Sequence, residues 1–545
     1  MRAIATLLTA TALSASIAAA APPSFDMARL NEDVKTLSSD AFEGRGVDTP
    51  GETKTIAYIS AQMKAAGLQP GGPGGKWTQD VPLLKSDIVG APSLTLTMGG
   101  SAKPLTQGTE ITVRAATNGQ KAIDFKGVPL VFVGYGVKAL ERGWDDFKGA
   151  DLKGKIMVVL VNDPDFEGGE GDFGGTTMTY YGRWTYKYEE GARQGAVGVL
   201  VIHEDKPASY GWNTVKNSNS TTMFDIVRAD PKAEHPPMEA WIQRSLAVDL
   251  FKAAGLDFDA MKTAAQKKDF RPVTLNATLD ASYAMKTGTI VSHNVLGRLP
   301  GKTHPNETVI YSAHWDHLGV GLPDSKGDRI YNGAQDNGSG VASLLEIARA
   351  FGKAPRTDRS IVFLAVTAEE KGLLGSEYYG ANPIYPLATT AGMLNMDNVF
   401  GDSASRSYTI SGVAKLGLLD MLIAEGNKLG RTYSPDPKTG TGGFYRSDHF
   451  SMAKQGVPAL SFKPGIDLID GGVTRGKALA DAYTKDKYHQ PADEWAPGWD
   501  MSAVGPDLAL LYNTGRSLAD SRVWPEWSAD SEFKAKRDET KAERK

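Results

Sequence analysis

Three short runs, "VIYSAHWDH", "FLAVTAEE" and "GMLNMDN", lead apolar residues into groups able to hold a cation. They present His314, Asp316 and His317; Glu369 and Glu370; and Asp397. "YNGAQDNGSG" adds Asp336 in a turn-rich loop that opens a helix, and "DKYHQPADE" adds His489 far downstream. The set is carboxylate and imidazole without thiolate, because the chain has no cysteine. Such donors suit zinc, cobalt or manganese, and a bridging carboxylate suits two ions about 3.5–4 Å apart. Taken singly, each residue has a plainer use. A histidine can be a satisfied structural residue, paired glutamates a solvated strand end, Asp336 a helix cap and Asp397 a turn residue. Their joint occurrence in this order points to a metal centre.

The surrounding sequence must bring these groups together. From Ser292 onward, strand-like runs such as "ETVIYSAHWDH", "RSIVFLAVTAEE", "AGMLNMDNVF" and "GVPALSF" alternate with helical patterns such as "GVASLLEIARAFGK" and "LGLLDMLIAEGNKLG". This alternation predicts an α/β fold with a mixed, largely parallel sheet flanked by helices, and ligands bind beyond the carboxyl ends of such strands. The strand ends on "TAEE", and period-two alternation sends Glu369 and Glu370 to opposite faces. Two helical patterns precede residue 80, and from about Lys121 the texture changes to short β-rich runs, "VPLVFVGYGV", "GKIMVVLVNDPDF" and "GAVGVLVIHED". The expected organisation is 21–120 and 286–525 forming one domain, a mostly β domain inserted at 121–285, and a charged, exposed helical tail at 526–545.

Composition narrows the partners. Hydrophobic residues make up 41% and charged residues 23% of the 545, as in ordinary globular proteins. A net charge of −4 supplies no basic field for nucleic acid or an anionic membrane. The opening "MRAIATLLTATALSASIAAAAPPSF" reads as a signal peptide over residues 1–20, predicting export to the periplasm or the medium. No later run approaches the roughly 18 apolar residues of a membrane span, so no membrane anchor is expected. No feature of the sequence specifies an oligomeric state.

With "SAHWDH", "GAQDNGSG", "TAEEKGLLGSEYY", "NMDNV", "YRSDHFSMAKQGVPAL" and "YHQPADE", the chain resembles the M28 family of two-zinc metallopeptidases. That family includes secreted bacterial aminopeptidases and the glutamate carboxypeptidase II group. The segment containing "VFVGYGV", "DLKGKIMVVLVND" and "EEGARQGAVGVLVIHE" resembles a protease-associated domain. The resemblance implies two Zn2+ per chain and peptide substrates. It implies that Asp336 bridges the metals, with His314 and Asp397 on one and Glu370 and His489 on the other. Asp316 would hydrogen-bond His314 and fix its tautomer, the Asp336–Asn337 peptide would be cis, and Tyr488 would steady a developing oxyanion. Glu369 would be the general base, since Glu370 is committed to a metal. Ser447, Asp448 and His449 of "YRSDHF" would line the site, whereas His317 sits where many relatives carry a small polar residue and receives no ligand role.

Among exopeptidases, an aminopeptidase is favoured, because acidic residues near the metals attract a free α-amine. A glutamate carboxypeptidase II-like carboxypeptidase or dipeptidase needs a basic clamp from the insertion, for which "YYGRW" offers Arg183 beside Tyr180 and Tyr181. A non-catalytic, receptor-like member of the fold would be expected to have lost ligands, and here all five and the base are present.

Overall fold

Strands Arg359–Val366 and Thr390–Met396 are buried at every position, and His304–His314 from Thr308 onward. Unbroken burial of this kind marks parallel strands covered on both faces. In the computed structural model, which describes residues 23–167, 171–401, 403–499 and 501–544, these strands pair in parallel at the centre of a mixed sheet. The signal peptide expected at 1–20 lies outside the described residues. Strand Ala459–Pro464 continues the parallel set beside Thr390–Met396, while Val273–Leu299 closes the other side antiparallel to Arg359–Val366.

Period-two alternation divides the side chains between two layers. Val309, Tyr311, Ala313, Ile361, Phe363 and Ala365 pack toward helices Met27–Leu37, Gly340–Lys353 and Gly505–Ala519. Ile310, Val362, Leu364, Val366 and Met393 meet Tyr379 and Met452 on the other face. Each fully buried Leu, Ile or Phe contributes roughly 1.5–3 kcal/mol of transfer free energy, enough to hold the strand ends in common register. His314 pairs with Val366 and Ser312 with Asn395, so three adjacent strands finish at one level.

The insertion is joined to this sheet through shared strands. Thr78–Met98 and Val273–Leu299 form a long antiparallel ribbon running from Thr78 opposite Val295 to Met98 opposite Ala277. Its far end belongs to a second core containing Leu94, Leu96, Leu105, Ile111 and Val113, upstream of the change in texture at residue 121. Here Ala122–Phe132, Ile156–Leu160, Gly198–His203 and Met238–Gln243 pair in parallel. Parallel neighbours need crossover connections. Helix Trp184–Arg193 provides one, and Trp212–Asn219 lies in another.

The carboxyl-terminal segment departs from the expected frayed, exposed helix. Trp527 is buried, and Arg537 is 2% exposed, its guanidinium donating to the Leu387 and Thr390 carbonyls. A charged sequence had suggested solvent, but Arg537 docks because it satisfies carbonyls at the edge of the catalytic layer. Among the described residues, no helix is long and apolar enough to cross a membrane.

Candidate metal centre

His314 is the last residue of its strand, Asp397 follows Met396 directly, and Glu369 and Glu370 come three and four residues after Val366. All lie at the carboxyl ends of neighbouring parallel strands. Asp336 enters from the loop before helix Gly340–Lys353, and His489 from the turn after helix Gly472–Asp486. The ligand atoms form two groups sharing one carboxylate. His314, Asp336 and Asp397 converge within 4.8 Å, and so do His317, Asp336 and Glu370. His314 Nε2 is 3.3 Å from Asp336 Oδ1 and 3.7 Å from Asp397 Oδ1. His489 Nε2 is 3.4 Å from Asp336 Oδ2 and 3.0 Å from Glu370 Oε2.

His317 therefore stands among the groups that could hold a metal, whereas the sequence reading gave it no ligand role. Its Nδ1 lies 2.6 Å from Glu370 Oε1 and its ring meets that of His489 edge-on, yet neither of its ring nitrogens has a hydrogen-bond partner. Gly333 makes room for it. A Cβ there would lie 2.6 Å from the His317 ring, and the backbone is left-handed at φ 54°. Glycine meets both demands.

The two glutamates are separated by a turn, not by strand alternation. The strand ends at Val366, Ala368 is left-handed at φ 52°, and Glu369–Lys371 form a single 3-10 turn. Asp316 holds this turn: its carboxylate accepts from the backbone N–H of Glu369 at 3.0 Å and of Glu370 at 3.3 Å. The expected Asp316–His314 side-chain hydrogen bond is absent, since the nearest approach is 3.8 Å. His314 Nδ1 instead faces the Asp316 backbone carbonyl at 3.1 Å. The tautomer is set by the main chain because the Asp316 carboxylate is occupied by the glutamate turn.

The donor set fits cations. Asp336, Glu369, Glu370 and Asp397 are gathered around imidazoles, with Asp336 4% exposed and Glu369 9% exposed. Burial pushes the Glu369 carboxyl well above the ordinary range, and the neighbouring Glu370 and Asp448 charges add to the shift. Burial alone would lower the His314 pKa, but the Glu369, Asp336 and Asp397 carboxylates hold it well above the ordinary value. His489, likewise opposed by burial, is raised to about 9 by Glu370 and Asp336. Like charges forced together in low dielectric are costly unless a counter-charge joins them.

Residues 294–504 match peptidase family M28. Over this segment the chain is similar to that family. It is 31% identical over 225 residues to aminopeptidase NAALADL1 of Mus musculus, covering 37% of this chain and 27% of that one. It is 27% identical over 217 residues to leucine aminopeptidase 1 of Aspergillus oryzae, covering 36% and 54% respectively. The chain thus spans about half or less of these curated relatives. The solved aminopeptidase from Aneurinibacillus sp. strain AM-1 shares the fold over 91% of this chain and 94% of its own, with a TM-score of 0.53 at 21% identity.

Between this segment and the inserted unit, a cavity of about 960 Å³ opens on Asp336, Glu369, Glu370, Asp397 and His489. Tyr488 lines it, with its ring 3.9 Å from that of His489, and Arg183, Arg446 and Ser447 line it as well. Asp448 and His449 do not. Both are fully buried where helix His449–Lys454 begins, and the His449 ring packs edge-on against Phe444. The expectation that they contact substrate is replaced by a place behind the cavity wall. Burial raises Asp448 to about 6 and lowers His449 to about 3.

Sequence reasoning missed three supports. Arg45 is fully buried and donates to the carbonyls of Leu37, Trp315, Asn332 and Gly333, tying together the loops of His314 and Asp336. Asp493 accepts from the backbone N–H of Gln335 and Asp336 at 3.0 Å each. Asn337, across the cis peptide from Asp336, donates to the Met396 carbonyl and accepts from the N–H of Gly340 and Asn398. The "YHQPADE" and "GAQDNGSG" motifs held Asp493 and Asn337 in view; nothing local marked Arg45.

Proposed function

We propose that this chain is an exported, dinuclear zinc metallopeptidase that hydrolyses peptide bonds, preferentially as an aminopeptidase. The observation that carries it is the pair of ligand groups sharing Asp336, with Glu369 beside them. Two zinc ions would be held by His314, Asp336 and Asp397 on one side, and by Asp336, Glu370, His489 and His317 on the other. Bound there, the metals would supply an activated water and polarise the scissile carbonyl. Glu369 would receive the water's proton and deliver it to the leaving nitrogen. Asp316 keeps Glu369 and Glu370 apart through their backbone, and Tyr488 offers a phenol to the developing oxyanion from the cavity wall.

One observation favours the second reading, cleavage next to a substrate carboxylate. Arg183 is 8% exposed, its Nε has no partner, and among the described residues it makes no ion pair. Burial and the nearby Arg446 guanidinium lower it to about 10. An unpaired buried guanidinium in the cavity wall would welcome an anion. Metal-loaded mature protein assayed on amino-acid anilides and on N-blocked dipeptides separates the two. Turnover of anilides alone supports the aminopeptidase; turnover of blocked dipeptides alone overturns it. Chelation abolishing hydrolysis, with recovery on zinc, tests the metal reading directly.

A further inference from the structure

The inserted unit reaches into the metal centre through helix Trp212–Asn219. Ser218 Oγ lies 2.8 Å from His489 Nδ1, and Asn217 Nδ2 donates to the His489 carbonyl at 3.1 Å. Two residues past the helix, Thr221 Oγ1 accepts from Lys371 Nζ at 2.7 Å, and Lys371 directly follows Glu370. One stretch of ten residues in the insertion therefore grips both chain segments that bring His489 and Glu370 together.

These contacts act where His489 needs them. Its backbone is left-handed, φ 55°, a conformation that a non-glycine side chain adopts only when its surroundings impose it. Its Nε2 faces Asp336 and Glu370 and must offer a lone pair to hold a metal. The ring proton then sits on Nδ1 and needs an acceptor, as ligating histidines usually have. Main chain performs this service for His314. For His489, the acceptor comes from another part of the molecule.

We propose that Ser218 is a positioning residue of the metal centre: its hydroxyl accepts the His489 Nδ1 proton and fixes the ring with Nε2 toward Asp336 and Glu370. The insertion is then part of the ligand sphere of one metal, besides forming a wall of the cavity. This rests on the dinuclear reading above.

The test is a zinc titration of metal-free, full-length protein against a chromophoric chelator, with melting temperatures of the metal-free forms alongside. Ser218→Ala is expected to weaken one of the two zinc ions by about 10–100-fold and leave the other unchanged. Ser218→Thr, which keeps the oxygen, is expected to hold both ions nearly as tightly as wild type. Ser220→Ala, whose lost hydroxyl bonds only the Lys216 carbonyl, is the neighbouring control. Unchanged constants in Ser218→Ala overturn the proposal, as does a loss in Ser218→Thr equal to that in the alanine variant. Equal weakening of both ions together with a lowered melting temperature assigns Ser218 a merely structural role and also overturns it. Failure of wild type to take up zinc sinks the dinuclear reading itself, a result the wild-type arm reports separately.

Discussion

In the inserted unit, the fully buried Lys187 donates to the carbonyls of Tyr135, Asn162 and Tyr181, with the Asp163 and Asp146 carboxylates close by. Elsewhere in this unit, Arg114, Glu239, His235, Asp225 and Arg228 alternate in sign, with His235 2.7 Å from Glu239 and 3.1 Å from Asp225. At the ends of the catalytic strands, by contrast, Asp336, Glu369, Glu370 and Asp397 crowd together with three imidazoles. Apart from Arg183, these buried charges of the insertion are paired within the protein and fit a structural role. The carboxylates at the strand ends have Arg45, Lys371 and Lys463 nearby and still form two groupings that could hold cations. The comparison teaches that burial of charge says little about purpose until the partners are counted.

The sharpest way to break the contrast is to remove a group that balances nothing structural. Glu369→Gln is expected to retain both zinc ions while kcat falls about 10²–10⁴-fold. Metal analysis beside steady-state kinetics checks it, and full activity with metals bound removes Glu369 from the base role. A smaller loss is expected for Asp316→Asn, about 10–100-fold in activity or metal affinity, because the substitution disturbs the turn separating the glutamates without touching the ligands. Chelator titration distinguishes the two outcomes.

In the insertion the effects should fall on stability. Lys187→Met leaves three buried carbonyls without their donor and is expected to destabilise by about 1–3 kcal/mol, read as a lower urea midpoint with metal content unchanged. His235 sharpens the same point by pH. Burial opposes its charge, but Glu239 and Asp225 raise its pKa from 6.5 to about 10. A raised histidine contributes stability that is fully present below the unfolded value and lost as pH rises through the folded one. The stability gap between wild type and His235→Gln should therefore be widest near pH 6 and close toward pH 10. A gap that widens with pH would contradict the assignment.

The candidate ligands were legible because each stands beside a signal that local physics explains. His314, Glu370 and Asp397 follow strand patterns, Asp336 opens a helix, and His489 sits in a short polar motif. The separation of Glu369 from Glu370 was expected from strand alternation, but a 3-10 turn held by Asp316 produces it instead. The place of His317 beside Glu370 escaped because a histidine next to such a motif looks the same in sequence whichever way its ring turns.

What the sequence by itself determined is the chemistry: carboxylates and imidazoles without thiols, placed at the ends of apolar runs whose periodicity dictates strands and a covered sheet. What only the tertiary structure decided is which distant groups hold those ligands in place. Arg45 bonds carbonyls 270 and 288 residues away, and Ser218 meets His489 across 271 residues. Periodicity and turn chemistry are local, so they place a residue on its element. Hydrogen bonds between loops depend on how the elements pack, and no local pattern encodes that.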